Sequence, residues 1–114
     1  MTRMIYHMCP ADTWQQAVRS GAYDGTADDQ RDGFIHFSTA EQIAESARRH
    51  RAGQAGLVLI AVESDRLADR LKWEKSRGVA LFPHLHGPLD PAEVASIRPL
   101  PLGPNGEHIF PPLD

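Results

Sequence analysis

The sequence predicts an α+β domain in which helices come early and strands late. Three observations carry that expectation. Residues 3–9 alternate strictly, with Met4, Tyr6 and Met8 facing one way and Ile5, His7 and Cys9 the other. The run LVLIAV at 57–62 is short, apolar and partly β-branched, as a strand buried on both faces must be. Apolar residues at helical spacing occur in two places, from Trp14 and from Ile43.

Composition narrows the class. Of 114 residues 41% are hydrophobic, enough for one modest core, so residues 1–114 are expected to form a single domain. The net charge of −3 argues against a general nucleic-acid binder, which relies on neutralising phosphates. No apolar run approaches the roughly 20 residues of a membrane span, and residues 1–10 contain no h-region of the kind a signal peptide carries. A cytoplasmic protein with no membrane partner is therefore expected. Cys9 is the only cysteine, which excludes an intrachain disulfide and a cysteine-based zinc site. Without a nearby base in sequence it is expected to be a core residue rather than a nucleophile.

The elements follow in order. Pro10 ends the first strand. Asp12 as N-cap with Gln15 as its capping-box partner predicts a short helix, with Trp14, Ala17, Val18 and Gly21 on one stripe and Gly21 as its stop. Residues 22–33, AYDGTADDQRDG, are polar and lack the spacing of an EF-hand, which predicts a solvated loop. GFIHFS at 33–38 predicts a second strand with Phe34, His36 and Ser38 on one face. Ser38 and Glu41 predict a capping box for a helix over 39–51 with Ile43, Ala44 and Ala47 as its buried stripe. The basic last turn of that helix (Arg48, Arg49, His50, Arg51) suits the negative end of its dipole, which explains it without a phosphate. After LVLIAV a turn of helix is expected from Ser64, then strands near 70–74 and 80–85, the latter weakened by Pro83. Asp90, Pro91 and Glu93 form an N-cap, N1 proline and N3 glutamate ahead of a last strand over 94–100. Five prolines from Pro99 onward predict an extended end over 99–114.

The chemistry lies in the histidines. Of six, His7, His36, His84 and His86 stand in apolar strand contexts, and His84 and His86 share a strand face by their i, i+2 spacing. One reading is a shared polar cleft. Another is core imidazoles satisfied by backbone groups. A third is a metal held by His84, His86 and one of His7 or His36. Trp73 beside Glu74 leaves two readings: a carboxyl raised by an apolar neighbour and suited to acid–base work, or, as the commoner outcome, a surface glutamate. No G-x-G-x-x-G, P-loop or G-x-S-x-G motif is present, which excludes those cofactor and nucleophile cradles.

Three segments carry a resemblance: IYHM at 5–8, GFIHFSTAEQ at 33–42 and LFPHLHGPL at 81–89. In order and spacing, with Trp73-Glu74 between, they resemble the bacterial domain of unknown function 952 family over residues 4–102. More distantly the pattern is similar to the ADP-ribosyltransferase fold, nearest to the catalytic half of RNA 2′-phosphotransferases. There a strand reading like LYHGT opens the NAD-binding half, followed by an R-x-H-V-H-L-S strand and a helix ending G-R-R-H-G. Here His7 in IYHM, Arg31 with Phe34-Ile35-His36-Phe37-Ser38, and Ala47-Arg48-Arg49-His50 stand in those places. The resemblance implies a compact fold of two small, splayed, mostly antiparallel sheets with two main helices. It implies NAD, or an ADP-ribosyl or phosphorylated nucleotide, as the ligand and transfer of an ADP-ribosyl group as the reaction, with a nucleotide-binding module that has lost the chemistry as the alternative. His7 would bond the ribose, His36 and its aromatic neighbours would line the nicotinamide side, and Arg31 would meet a phosphate. With Glu74 added as the nearest acidic candidate, the expected catalytic set is His7, His36 and Glu74. With His84 and His86 added from the shared-cleft reading of the histidines, the expected binding set is His7, Arg31, Phe34, His36, Ser38, His84 and His86. No metal is expected. The sequence departs from the pattern at Met8-Cys9, where Gly-Thr is usual, and at His84 and His86, where many such enzymes place a late glutamate. It also lacks the RNA-gripping half, so RNA 2′-phosphotransferase activity itself is not expected.

Overall fold

The computed structural model describes residues 3–76 and 78–113, so residues 1–2, 77 and 114 of the expected 1–114 domain lie outside the described part. The alternating first segment is β1 (Met4–Pro10) and the apolar run is β4 (Leu57–Glu63). The two pair antiparallel along their whole length, from Met4 opposite Glu63 to Pro10 opposite Leu57. β7 (Val94–Leu100) lies on the other side of β4, which makes β4 the interior strand its composition predicts. β3 (Ser38–Thr39) joins the far edge of β1, giving the order β3-β1-β4-β7. A second antiparallel sheet has the order β2-β6-β5, from β2 (Ile35–His36), β5 (Leu71–Lys75) and β6 (Leu81–Leu85). The fold is thus α+β, with two small antiparallel sheets.

The alternation of β1 decides what packs on each face. Ile5 and Cys9 join Trp14 and Ala17 of α1 (Ala11–Ser20), Ile35 and Leu85 from the second sheet, and Phe37 just after β2. Tyr6 and Met8 join Ile43 and Ala47 of α3 (Ile43–His50), with Phe110 and Leu113 of the C-terminal segment packed against them. The four-stranded sheet is therefore covered by α3 on one face and by α1 and the second sheet on the other.

Several local expectations are corrected. α1 starts at Ala11 with Pro10 at its N-cap, so Asp12 sits in its first turn and caps nothing; Val18 is exposed, although Gly21 does stop the helix in the left-handed conformation. Residues 22–33 are not a solvated loop. Thr26 caps a short helix, α2 (Ala27–Asp32), through a reciprocal box with Asp29. Gly25 precedes it at φ +95, and a Cβ there would stand 2.5 Å from Asp29 Cβ, so the position requires glycine. α3 begins four residues later than expected. Gln42 accepts from Thr39 N–H (3.0 Å), while the Ser38 hydroxyl turns inward to Ser46 (3.0 Å) instead of capping.

GFIHFS is not one strand. The chain leaves the second sheet after His36, pairs Phe37 N–H with Pro83 C=O (3.0 Å), and enters the first sheet at Ser38. Pro83 is tolerated inside β6 because its nitrogen faces the same side as that carbonyl, past the end of the two-residue β2. This crossover splays the two sheets and leaves the edge of β1 beyond Tyr6 without a strand partner.

Candidate functional site

A cavity of about 140 Å³ opens where the crossover leaves that edge, with His7, Asp29, Ser38, His36, Arg51 and His84 on its walls. β1 supplies His7, α2 supplies Asp29, the crossover supplies His36 and Ser38, the end of α3 supplies Arg51, and β6 supplies His84. Arg31 also borders it, together with Asp28 and Asp32. Of the predicted binding residues, His7, Arg31, His36, Ser38 and His84 therefore meet in one place.

His7 is the joint between the sheets. Its Nδ1–H donates to the His36 carbonyl (2.7 Å), a group the crossover frees from strand pairing. That fixes Nε2 as an acceptor, and it takes the Tyr23 hydroxyl at 2.6 Å. Both ring nitrogens are engaged within the chain. The ring is 3% exposed, and burial pushes its pKa down against the opposing pull of Asp29, so it is held neutral. Tyr23 pairs in turn with the Cys9 thiol, which burial pushes up to about 11; Cys9 is the inert core residue its sequence context predicts.

Asp29 anchors the neighbouring ring. One oxygen accepts from His36 N–H (3.0 Å) and from His36 Nδ1; the other accepts from Thr26 N–H (2.7 Å) and the Thr26 hydroxyl (3.1 Å). Burial alone would raise Asp29, but the hydrogen bonds from His36 and Thr26 outweigh it and hold the carboxyl at about 2. His36 Nε2 reaches Asp32 at 3.1 Å. Arg31 is turned toward Asp28 (3.1 Å) and Asp32 (3.2 Å), and Arg51 toward Asp28 (3.5 Å).

Glu74, Phe34 and His86 stand behind the cleft wall rather than on it. On β5, Glu74 and Trp73 point to opposite faces. Trp73 lies under the Arg3 guanidinium, 5.2 Å from the ring centre. Glu74 faces β6, where its Oε1 accepts from both His84 Nδ1 and His86 Nε2 at 2.8 Å. Of the two readings of Glu74, the raised carboxyl is corrected, and the side chain is 40% exposed as a surface glutamate is. The bonds from His86 and then His84 hold Glu74 below the usual carboxylate range, because no apolar ring encloses it. Phe34 stacks on His84 with ring centres 4.0 Å apart, and His36 stands edge-on to His84 at 5.6 Å. His84 itself is 3% exposed. Burial lowers its pKa despite Glu74, so it donates Nδ1–H as a neutral ring, and its Nε2 has no hydrogen-bond partner among the described residues.

Two residues of this site, Asp29 and Tyr23, lie in the segment that reads as a loop. The signal for Asp29 was the Thr26-x-x-Asp29 box; Tyr23 carried no sequence signal. The described residues contain no group of three or more His, Cys, Asp or Glu side chains that could hold a metal ion. No helix among them is long and apolar enough to cross a membrane.

The chain is similar to protein CC0527 of Caulobacter crescentus, whose crystal structure is 44% identical, matches over 93% of each chain and superposes with a TM-score of 0.89. The solution NMR structure of the same protein is 45% identical over 91% of this chain and 90% of that one, with a TM-score of 0.83. No curated protein matches the chain. The model of the family described as protein of unknown function, DUF952, matches residues 8–97, and the chain belongs to that family.

Proposed function

We propose that the cleft binds the ribosyl-nicotinamide end of NAD, or the corresponding part of an ADP-ribosyl or phosphorylated nucleotide, as a cytoplasmic ADP-ribosyltransferase-like domain. One observation carries the reading: the splayed sheets bring a cavity, the imidazoles of His7, His36 and His84 and several carboxylates together. Pockets that enclose drug-sized ligands are typically about 300–1,000 Å³. A cavity of about 140 Å³ takes one ring-sized moiety. Asp28, Asp29 and Asp32 outnumber Arg31 and Arg51 on its walls, which suits a neutral ribose or cationic nicotinamide ring and disfavours diphosphate. The phosphates would lie outside, within reach of the exposed Arg31. An oxocarbenium-like sugar would be stabilised by the same carboxylates.

A second reading is a binding module without transfer. It is favoured by Glu74, whose carboxylate is held ionised behind the wall and is no proton donor at neutral pH. Thermal-shift titration with NAD, ADP-ribose and nicotinamide tests the common part. A ligand at about 100 times its dissociation constant adds roughly 2.7 kcal/mol, and each kcal/mol moves the midpoint of such a domain by roughly 4–8 °C. A saturable rise with NAD supports the site, and no rise at millimolar NAD overturns it. Release of nicotinamide from bound NAD then separates transferase from binding module.

A further inference from the structure

Among buried side-chain nitrogens and oxygens of the described residues, His84 Nε2 alone lacks a hydrogen-bond partner. Such an atom is rare in a folded protein, and leaving it unpaired is unfavourable. Its surroundings are built rather than accidental. Glu74 accepts a hydrogen bond from Nδ1–H, His86 donates to the same carboxylate, and Phe34 stacks on the ring face. The two nitrogens of an imidazole point in nearly opposite directions. Anchoring Nδ1 on Glu74, behind the wall, therefore turns Nε2 away from Glu74 on a ring that lines the cleft. Nε2 is closed to bulk water, so contact with it needs a small give in the cleft wall.

Resting on the cleft reading above, we infer that His84 Nε2 is the hydrogen-bond acceptor for a donor group on the ligand, a hydroxyl or a carboxamide N–H, with Glu74 and His86 as positioning residues that fix its tautomer. Protonating His84 would bury a second, unpartnered N–H, so the neutral acceptor form is the one the fold maintains. Discrimination follows from this: a ligand lacking the donor leaves the acceptor unpaired and binds less well.

Nitrogen NMR of the histidines in the full chain at neutral pH tests the inference, with ADP-ribose (ribose hydroxyls, no carboxamide) and nicotinamide (carboxamide, no ribose) as separate probes. Binding of each is followed independently by thermal shift. The expected spectrum shows His84 protonated at Nδ1 and bare at Nε2. One probe moves the Nε2 resonance, which identifies the donor. His84→Ala weakens that probe roughly tenfold, the worth of one neutral hydrogen bond. Glu74→Gln gives a mixed tautomer, because a carboxamide presents an acceptor or a donor, and this readout holds even if His84→Ala does not fold. An Nε2–H tautomer in the native chain overturns the inference whatever binds. A probe that binds without moving Nε2 overturns it and leaves the cleft reading standing. Absence of binding by either probe overturns both. An unchanged tautomer in Glu74→Gln overturns the positioning role.

Discussion

Asp29 and Glu74 each sit between two imidazoles, yet the two clusters differ in how completely they close. Around Asp29, Thr26 and His36 fill the carboxylate, and the adjoining His7 is closed by Tyr23 and the His36 carbonyl. Around Glu74, one imidazole is half-exposed and the other keeps a bare nitrogen. The first cluster joins α2, β1 and the crossover; the second joins only β5 and β6, already paired by their backbones. Polar groups of similar composition thus serve stability where they bridge separate elements and close on themselves. Where they decorate an already formed hairpin, one polar atom, His84 Nε2, is left without a partner among the described residues.

The contrast is broken or sharpened by perturbing each cluster. Asp29→Ala should have the largest effect. It strips the Thr26 box and takes the acceptor from His36 Nδ1, the His36 backbone N–H and the Thr26 backbone N–H, a loss of about 3 kcal/mol at roughly 1–3 kcal/mol per unsatisfied group. At roughly 4–8 °C per kcal/mol the melting midpoint should fall by more than about 10 °C. A fall no greater than that of Glu74→Ala would erase the distinction.

Acid should then reveal the same cluster in the native chain. Asp29 is lowered on folding from its ordinary 3.8 to about 2, so the unfolded chain binds its proton first. Its contribution, roughly 2 kcal/mol, is present above the unfolded value and lost as pH falls through the folded one. His7 and His84 are likewise lowered from 6.5, so stability also declines as pH drops below that value and they must charge. Denaturant midpoints measured across this range should show both declines, and the lower one should vanish in Asp29→Asn.

Tyr23→Phe should cost about 1–2 kcal/mol, since it leaves the buried His7 acceptor unpaired while keeping the ring that packs on Trp14. Chemical denaturation measures it, and a neutral result would show that the His7 joint is not closed by this hydroxyl. Glu74→Gln should have the smallest effect on stability, with a midpoint close to the parent, and should act on the His84 tautomer instead. A large fall in midpoint would place Glu74 with Asp29 as a structural carboxylate.

Much of the fold was legible because the signals are local. Period-two alternation marked β1 and anticipated the division of the core between its two faces. LVLIAV marked the interior strand, and the Asp90 box forms as its spacing implies, Asp90 accepting from Ala92 N–H and Glu93 from Asp90 N–H. The same local logic misjudged 22–33. A six-residue polar helix shows no apolar stripe, and only the Thr26-x-x-Asp29 spacing sets one aspartate of four apart. It also merged β2 and β3, since alternation through Phe34, His36 and Ser38 is the same whether the backbone pairs with one sheet or with two.

The sequence by itself determined which residues face together along each strand and helix, because side-chain direction follows from backbone period alone. It also placed His7, Arg31, His36, Ser38 and His84 on the candidate list. Tertiary structure alone decided that these five meet in one cleft, that His7 is a closed joint, and that Glu74 lies behind His84 rather than against Trp73. Those outcomes depend on strand order and on the crossover at Phe37, where the choice of partner is made by residues some fifty positions apart in sequence, as between Phe37 N–H and Pro83 C=O.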